Sequence, residues 1–214
     1  MPQTHVFFDF DSTLITCESL DLIAQKKGVL KDIEAMTNQA MNGEVPLESV
    51  LDKKMSIINP THNEMLEAAY DCLSHITSGA RDIIILLQSH NIIVHILSSG
   101  FHEIIDPVAH VLTIPPQHIH ANTIQFDEKD NYVCIDPTSI LTHSNGKPTY
   151  ISQHTTPNDI TYMIGDGMTD AACAPVVTQF IGFGGNIVRN NVRKNSNIYI
   201  TEKNLTAIIP YITI

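Results

Sequence analysis

Asp9 and Asp11 stand two residues apart at the end of the apolar run HVFFDF, residues 5–10. Residues two apart on a strand share a face, so the pair brings two carboxylates together, although the chain can already be turning at Asp11. Two such acids repel each other unless a cation sits between or beside them. A bare D-x-D reads equally well as one acid capping the next helix and one facing solvent. A second acidic end shifts that balance. Gly165-Asp166-Gly167-Met168-Thr169-Asp170 follows directly on the apolar run ITYMI, residues 160–164, and its glycines permit a tight turn that lets Asp166 and Asp170 project back over the strand ends. Two strands that both end in paired acids make an all-oxygen site, which suits Mg²⁺ better than zinc.

Two further features add an anion to the picture. The run IIVHIL, residues 92–97, ends in Ser98-Ser99-Gly100 and runs into an expected helix, where a hydroxyl and free backbone N–H groups form an anion cradle. Lys147, in Asn145-Gly146-Lys147-Pro148, stands at another loop-to-helix junction and supplies a positive charge. Taken singly, Ser98 reads as a helix cap and Lys147 as a solvated side chain. Their placement, strand end by strand end, is what those readings leave unexplained.

These residues need a frame that aligns strand ends. Residues 5–10 read as a buried strand, and from about Cys17 to Ser74 the periodicity is helical throughout, with Asn59-Pro60-Thr61 as one helix start. Beyond Ser78-Gly79 the pattern alternates. A helix at 80–90, a strand at 92–97 and a helix at 100–112 kinked or cut at Pro107 come first. A hairpin of 121–126 with 132–135 follows, then a helix at 148–154, the strand at 160–164 and a short helix. The strand QFIGF, a helix at 187–195, a strand at 198–200 and a last helix complete the chain. Alternation of this kind predicts an α/β fold: a doubly wound, mostly parallel Rossmann-like sheet with a small all-helical insert. The expected division is a catalytic core of 1–15 and 75–214, with a helical cap of 16–74.

The 214 residues are 43% apolar and 16% charged, with a formal net charge of -11, so the chain is globular rather than disordered. No Lys/Arg cluster exceeds a pair such as Lys26-Lys27 or Lys53-Lys54, which argues against nucleic acid as a partner. The acidic balance also repels anions at long range, so an anion site must work by local donors and a metal. Cys17, Cys72, Cys134 and Cys173 show no C-x-x-C spacing, and no signal-peptide pattern precedes the first strand. Reduced thiols in a cytoplasmic protein are the expectation, and the apolar runs are too short to span a membrane.

DFDST, LSSG, the Lys147 loop and GDGMTD, in that order, resemble the four motifs of the haloacid dehalogenase-like phosphatases. The likeness extends over nearly the whole chain to the phosphoserine phosphatases. It is carried by Thr13-Leu14 with Glu18 and Asp21, by Ala40-Met41-Asn42-Gly43, by Ala121-Asn122 and by Phe180-Ile181-Gly182-Phe183-Gly184-Gly185-Asn186. The resemblance implies a Mg²⁺-dependent hydrolysis of O-phosphoserine, a step of serine biosynthesis, through an aspartyl phosphate on Asp9. It implies Asp11 as the acid that protonates the leaving group and then as the base that activates water. Asp9, Asp166 and the backbone carbonyl of Asp11 would hold the metal, with Asp170 orienting that shell. Ser98, Ser99, Gly100 and Lys147 would bind phosphate. Glu18, Lys54, Met41, Phe101, Asn122 and Thr169 would form the substrate-binding set, with Phe101, Met41 and Leu47 lining an apolar part of the pocket, although for Met41 and Leu47 ordinary core packing is an equal reading.

Two positions depart from that family's pattern. Lys54 stands where the family has an arginine that grips the substrate carboxylate; a lysine keeps the charge and loses the planar two-pronged fit. Ser99 stands where the family usually has glycine. A phosphatase or phosphotransferase for another small phosphate ester is therefore the alternative. A phosphate-accepting receiver domain is a different class, but receivers are shorter and lack both the helical insert and the late GDGMTD. Among eleven histidines, His118 and His120 sit at alternate positions that could bind zinc, without a third ligand at suggestive spacing. His102 reads as an exposed first-turn residue.

Overall fold

A computed structural model describes residues 2–214. Strand β1 (Thr4–Phe8) alternates, with Val6 and Phe8 packed into one apolar layer and Phe7 into the opposite one. Helices α1 (Ser19–Lys26), α2 (Leu30–Met41), α3 (Leu51–Ile58) and α4 (His62–Leu73) follow. Their stripes meet in a shared interior that includes Ile33, Met55, Met65 and Ala69. The start of α4 is fixed by a capping box: Glu64 N donates to Thr61 Oγ1, and Thr61 N donates to the Glu64 carboxylate.

Helix α5 (Ala80–Ser89), β2 (Ile93–Phe101), α6 (His102–Val111) and β3 (Ile119–Asn122) come next, then β4 (Ile124–Phe126) and β5 (Tyr132–Ile135). Helix α7 (Gly146–His154), β6 (Ile160–Gly165), α8 (Met168–Ala171), β7 (Gln179–Phe183), α9 (Asn190–Lys194) and β8 (Ile198–Ile200) complete the core. The main sheet has the order β3-β2-β1-β6-β7-β8, with every pair parallel. This is the doubly wound α/β arrangement read from the sequence. Strand order reverses at the β1–β6 junction, and ligands of such sheets collect in the crevice beyond the carboxyl ends there. Helices α5 and α6 supply one apolar layer, while Ile151 of α7 and Val192 of α9 contribute to the other.

Four local expectations are corrected. Helix α6 is not cut at Pro107 but continues through it to Val111. The lost backbone hydrogen bond and ring clash cost about 3 kcal/mol, and burial of Ile104, Ile105 and Val108, each about 1.5–3 kcal/mol, outweighs that. Ser98-Ser99-Gly100 continues β2 rather than opening a helix, because Phe101 still pairs with Asn122 of β3. Residues 121–126 divide between β3, at the edge of the main sheet, and β4, which pairs antiparallel with β5. The last helix is a 3₁₀ segment, Leu205–Tyr211, with Pro210 inside it.

Two crossings join the helical insert to the sheet, and they are bonded to each other. Thr16 N donates to His75 O at 2.7 Å and Thr77 N to Leu14 O at 2.9 Å. Asn186, on the β7–α9 loop, bridges both crossings, donating to Ser12 O at 3.1 Å, Ile15 O at 3.2 Å and Thr77 Oγ1 at 2.8 Å. All four cysteines are free thiols, and among the described residues no helix is long and apolar enough to cross a membrane.

The histidines form an unexpected interior feature. His5 Nδ1 lies 3.0 Å from His95 Nε2, His95 Nδ1 lies 3.1 Å from His120 Nε2, and His120 Nδ1 lies 2.8 Å from Tyr150 Oη. Phe7 stacks on His95 and His118 tilts against it. Burial holds His5 and His118 below the usual histidine value, His120 down to about 4 and His95 down to about 2. In the unfolded chain each titrates near ~6.5. Above that pH both states are neutral; below it the unfolded chain takes up protons that the folded chain refuses, so stability falls as pH drops. The histidines' contribution to stability, read from the thermal midpoint, should therefore decline from neutral pH towards pH 4, against an opposite contribution from the buried carboxylates whose pKa values are raised. His95→Gln should flatten the slope by about one proton, roughly 1.4 kcal/mol per pH unit. An identical slope in the variant would contradict the assignment.

Candidate active site

The β1–β6 register sets the centre of the site. Phe8 pairs with Ile164, and Asp9 N extends the ladder by donating to Ile164 O at 2.9 Å, which brings Asp9 beside the turn that carries Asp166. After Asp9 the chain makes one wide turn, closed by Ile15 N donating to Phe10 O at 3.1 Å. Ser12 takes a left-handed conformation in it, φ +54°, uncommon for a residue with a side chain. Its N–H donates to Cys17 O and its hydroxyl to Glu18 Oε1 at 2.7 Å, which ties the strained residue to the entry of α1. Asp11 accepts from Ser19 N at 2.8 Å in the same entry. Burial, then the charges of Glu18 and Asp9, push the Asp11 carboxyl up to about 8. The shift favours the protonated acid.

Lys147, in the first turn of α7, is 2% exposed and reaches Asp9 Oδ1 at 2.8 Å and Asp170 Oδ1 at 2.5 Å. The two carboxylates outweigh the effect of burial and raise its pKa, so it stays charged. Gly146 is required beside it, because a Cβ there would overlap the Ile140 carbonyl. Gly165 is required likewise, since a Cβ would overlap the Asp170 carboxyl. Asp9 Oδ1 also accepts from Phe10 N at 2.7 Å, which leaves Oδ2 without a protein donor. Asp170 has both oxygens engaged, by Lys147 and by Gly167 N at 2.9 Å.

Asp9, Asp166 and Asp170 each bring one oxygen to within 4.8 Å of the others. Burial and Glu18 push Asp166 well above the usual carboxylate range, with Arg189 opposing. An all-oxygen, buried, acid-rich set of this kind fits a small hard divalent cation. Asp9 and Asp166 have the freer oxygens, and Asp170 stands behind them.

One cleft is lined by Asp9, Asp11, Asp166, Ser98, Ser99, Gly100 and Lys147 from the sheet side, and by Glu18, Met41, Leu47 and Lys54 from the helices above. Thr169 lines it as well, whereas Asp170 lies behind the wall, fully buried. Ser98 Oγ accepts from Gly100 N at 2.9 Å, so the N–H expected to be free is used within the strand end. Ser99 carries a buried hydroxyl with no hydrogen-bond partner. Lys54 is buried and donates to Thr37 Oγ1 at 2.7 Å; an ammonium has three protons, and this uses one.

Two expected lining residues do not reach the cleft. Phe101 is 1% exposed within the main apolar core, as its inward position on β2 dictates. Asn122 is fully buried and braces the loop from behind, donating to Ser99 O at 2.7 Å and accepting from Ser139 Oγ at 2.5 Å. His120 is bonded within the histidine chain, and His118 packs against His95 beside it. His102 pairs with Asp106 at 2.8 Å on the surface of α6.

Arg189 is the residue that sequence reasoning missed. It is 3% exposed, donates from Nε to Asp166 Oδ2 at 3.0 Å and from Nη1 to Asn38 Oδ1 at 3.1 Å, and lies 3.6 Å from Glu18 Oε1 through Nη2. A lone arginine after a glycine-rich turn has no spacing to mark it. Its position just beyond the run FIGFGGN was the one available signal.

Residues 6–175 match the model of the haloacid dehalogenase-like hydrolases. A bovine phosphoserine phosphatase is 35% identical over 199 residues, covering 92% of this chain and 88% of the relative. A phosphoserine phosphohydrolase-like protein of Francisella tularensis superposes with a TM-score of 0.90 at 28% identity, over 99% of this chain and 100% of that one. A phosphoserine phosphatase solved as a phospho-aspartyl intermediate analogue shares the fold, with a TM-score of 0.87 at 23% identity over the full length of both chains. With the strand-end acids, the buried lysine and the parallel sheet in place, the chain belongs to the haloacid dehalogenase-like hydrolases.

Proposed function

We propose that this phosphoric monoester hydrolase cleaves O-phosphoserine through an aspartyl phosphate on Asp9 and uses Mg²⁺. The observation that carries the reading is the Asp9 carboxylate. One of its oxygens is pinned by Phe10 N and Lys147, and the other is free of donors on a cleft shared with Asp11 and Ser98.

The free oxygen of Asp9 attacks phosphorus while the serine oxygen leaves. Asp11, whose burial among acids favours its protonated form, donates its proton to that oxygen and so avoids a free alkoxide. It then takes a proton from the water that attacks the aspartyl phosphate, which restores both acids. Lys147 offsets charge on Asp9 and on the phosphoryl oxygens, and the Ser98 and Ser99 hydroxyls hold those oxygens in line. Asp9, Asp166 and the Asp11 backbone carbonyl would hold Mg²⁺, oriented by Asp170. Bound there, the cation neutralises phosphoryl charge and fixes the in-line geometry.

Residues 16–74 act as a helical cap over a core of 1–15 and 75–214, and exclude water while the intermediate exists. Within the cap, Glu18 receives the substrate ammonium and Lys54 its carboxylate, with Met41 and Thr169 alongside. The relatives support phosphoserine as substrate, at 35% identity for the bovine enzyme. That substrate places the reaction in serine biosynthesis, and the four free thiols are in keeping with a reducing compartment such as the cytoplasm. Lys54 also favours a second reading, in which the enzyme acts on another small phosphate ester or passes phosphate to an alcohol. A point charge orients a carboxylate less strictly than a guanidinium fork does.

With Mg²⁺ present, the purified protein should release phosphate from phosphoserine faster than from other phosphomonoesters. Chelation of the metal should stop it, and Asp9→Asn should abolish turnover. Release only from other esters would select the second reading; no release from any would refute the enzyme mechanism. Lys54→Arg should lower KM for phosphoserine with kcat little changed, and an unchanged or higher KM would count against Lys54 as the carboxylate partner.

A further inference from the structure

The mechanism leaves Arg189 without a role, although it is the most heavily engaged arginine in the fold. Its backbone is built in: Arg189 N donates to Tyr199 Oη at 3.1 Å. The turn before it admits no side chain, since a Cβ at Gly185 would overlap the Glu202 carbonyl. The guanidinium then reaches three separate elements: Nε bonds Asp166 after β6, Nη1 bonds Asn38 on α2, and Nη2 points at Glu18 at the entry of α1. Nη2 is buried and makes no hydrogen bond, because 3.6 Å is too long for one. Two neighbours of Arg189 reach across in the same direction. Asn191 donates to Asn42 O at the end of α2, and Asn186 holds both crossings between helices and sheet.

We propose that Arg189 is a positioning residue that joins the helical cap to the carboxylate Asp166, so that closing the cap and holding the cation reinforce each other. The proposal rests on the reading of Asp166 as a metal ligand. A guanidinium is a planar fork with five donors in fixed directions. With Nε on Asp166 Oδ2, that oxygen is taken and Oδ1, approached only by Thr13 Oγ1 at 3.4 Å, is the one left for a cation. Asn38 fixes the plane of the fork from the cap side, so the orientation of Asp166 depends on where α2 lies. A small inward movement of Glu18 would complete the bond that Nη2 lacks. Partners behind metal ligands characteristically change metal affinity when they are removed.

The test reads Mg²⁺ binding without substrate, from the thermal midpoint of the 214-residue chain as Mg²⁺ is titrated. Arg189→Gln should raise the half-saturating Mg²⁺ concentration by about tenfold or more. Arg189→Lys keeps the charge but cannot span three partners, and should restore that value only in part. Asn38→Ala is the decisive variant, because Asn38 neither lines the cleft nor touches a carboxylate of the site. It should shift half-saturation in the same direction as Arg189→Gln. Mg²⁺ binding unchanged in Asn38→Ala would overturn the proposal, as would full rescue by Arg189→Lys. Should Arg189→Gln not fold, Asn38→Ala decides alone. A wild-type chain that binds Mg²⁺ but hydrolyses no phosphate ester would refute the phosphatase reading and leave this one standing. An active wild-type enzyme whose Mg²⁺ binding is indifferent to Asn38 and Arg189 would do the reverse.

Discussion

Everything at the centre of this molecule depends on the contact between Lys147 and the carboxylates of Asp9 and Asp170. Asp9, Asp166 and Asp170 are buried within a few ångströms of one another, and Asp11 and Glu18 stand close by. Taking such acids out of water is costly unless opposite charge accompanies them. Lys147 supplies it from one side and Arg189 from the other, and the two together remain fewer than the acids they face. The imbalance is expressed in Asp11 and Asp166, both pushed upward by burial and by neighbouring acid. A divalent cation and a phosphoryl group bring the charge and the hydrogen-bond acceptors that such a site can balance.

The fold is arranged to make this concentration of charge rigid. Parallel pairing of β1 with β6 sets Asp9 beside the turn that carries Asp166, and a one-residue slip of either strand would turn its acid to the opposite face. Gly165 and Gly146 let the Asp170 carboxyl and the start of α7 come within contact distance of backbone. The helical insert is held at its two crossings by Asn186 and reaches into the site through Glu18 and Lys54, while Asn38 bonds Arg189 from outside the cleft. Asp11, the proposed acid–base residue, accepts from the first turn of α1, so the insert bears on the geometry of that carboxyl as well as on the cleft.

The parts legible in the sequence are those that a strand end dictates. Apolar runs of strand length ending in Asp9, Asp166 and Ser98, separated by helical periodicity, are local patterns, and they led to the correct fold class and to side chains that share one cleft. What depends on pairing between distant segments was not legible. Phe101 sits beside the cleft in sequence, yet its alternation on β2 turns it into the core. Asn122 matched a family pattern, and only the register of β3 against β2 places it behind Ser99. Arg189 carries no periodic or spacing signal at all, since its partners lie on three elements far apart in the chain. The chain of His5, His95 and His120 likewise appears only when three strands are laid side by side, although each histidine alternates with apolar neighbours as an interior residue would.

The most direct test of the central claim, that Asp9 is the nucleophile, is a rapid acid quench during turnover of phosphate-labelled phosphoserine, followed by mass spectrometry of the digested enzyme. The account predicts one phosphoryl group bound covalently to Asp9, released by hydroxylamine and absent in Asp9→Asn. Steady turnover with no covalently held label, or label on any other residue, would contradict it.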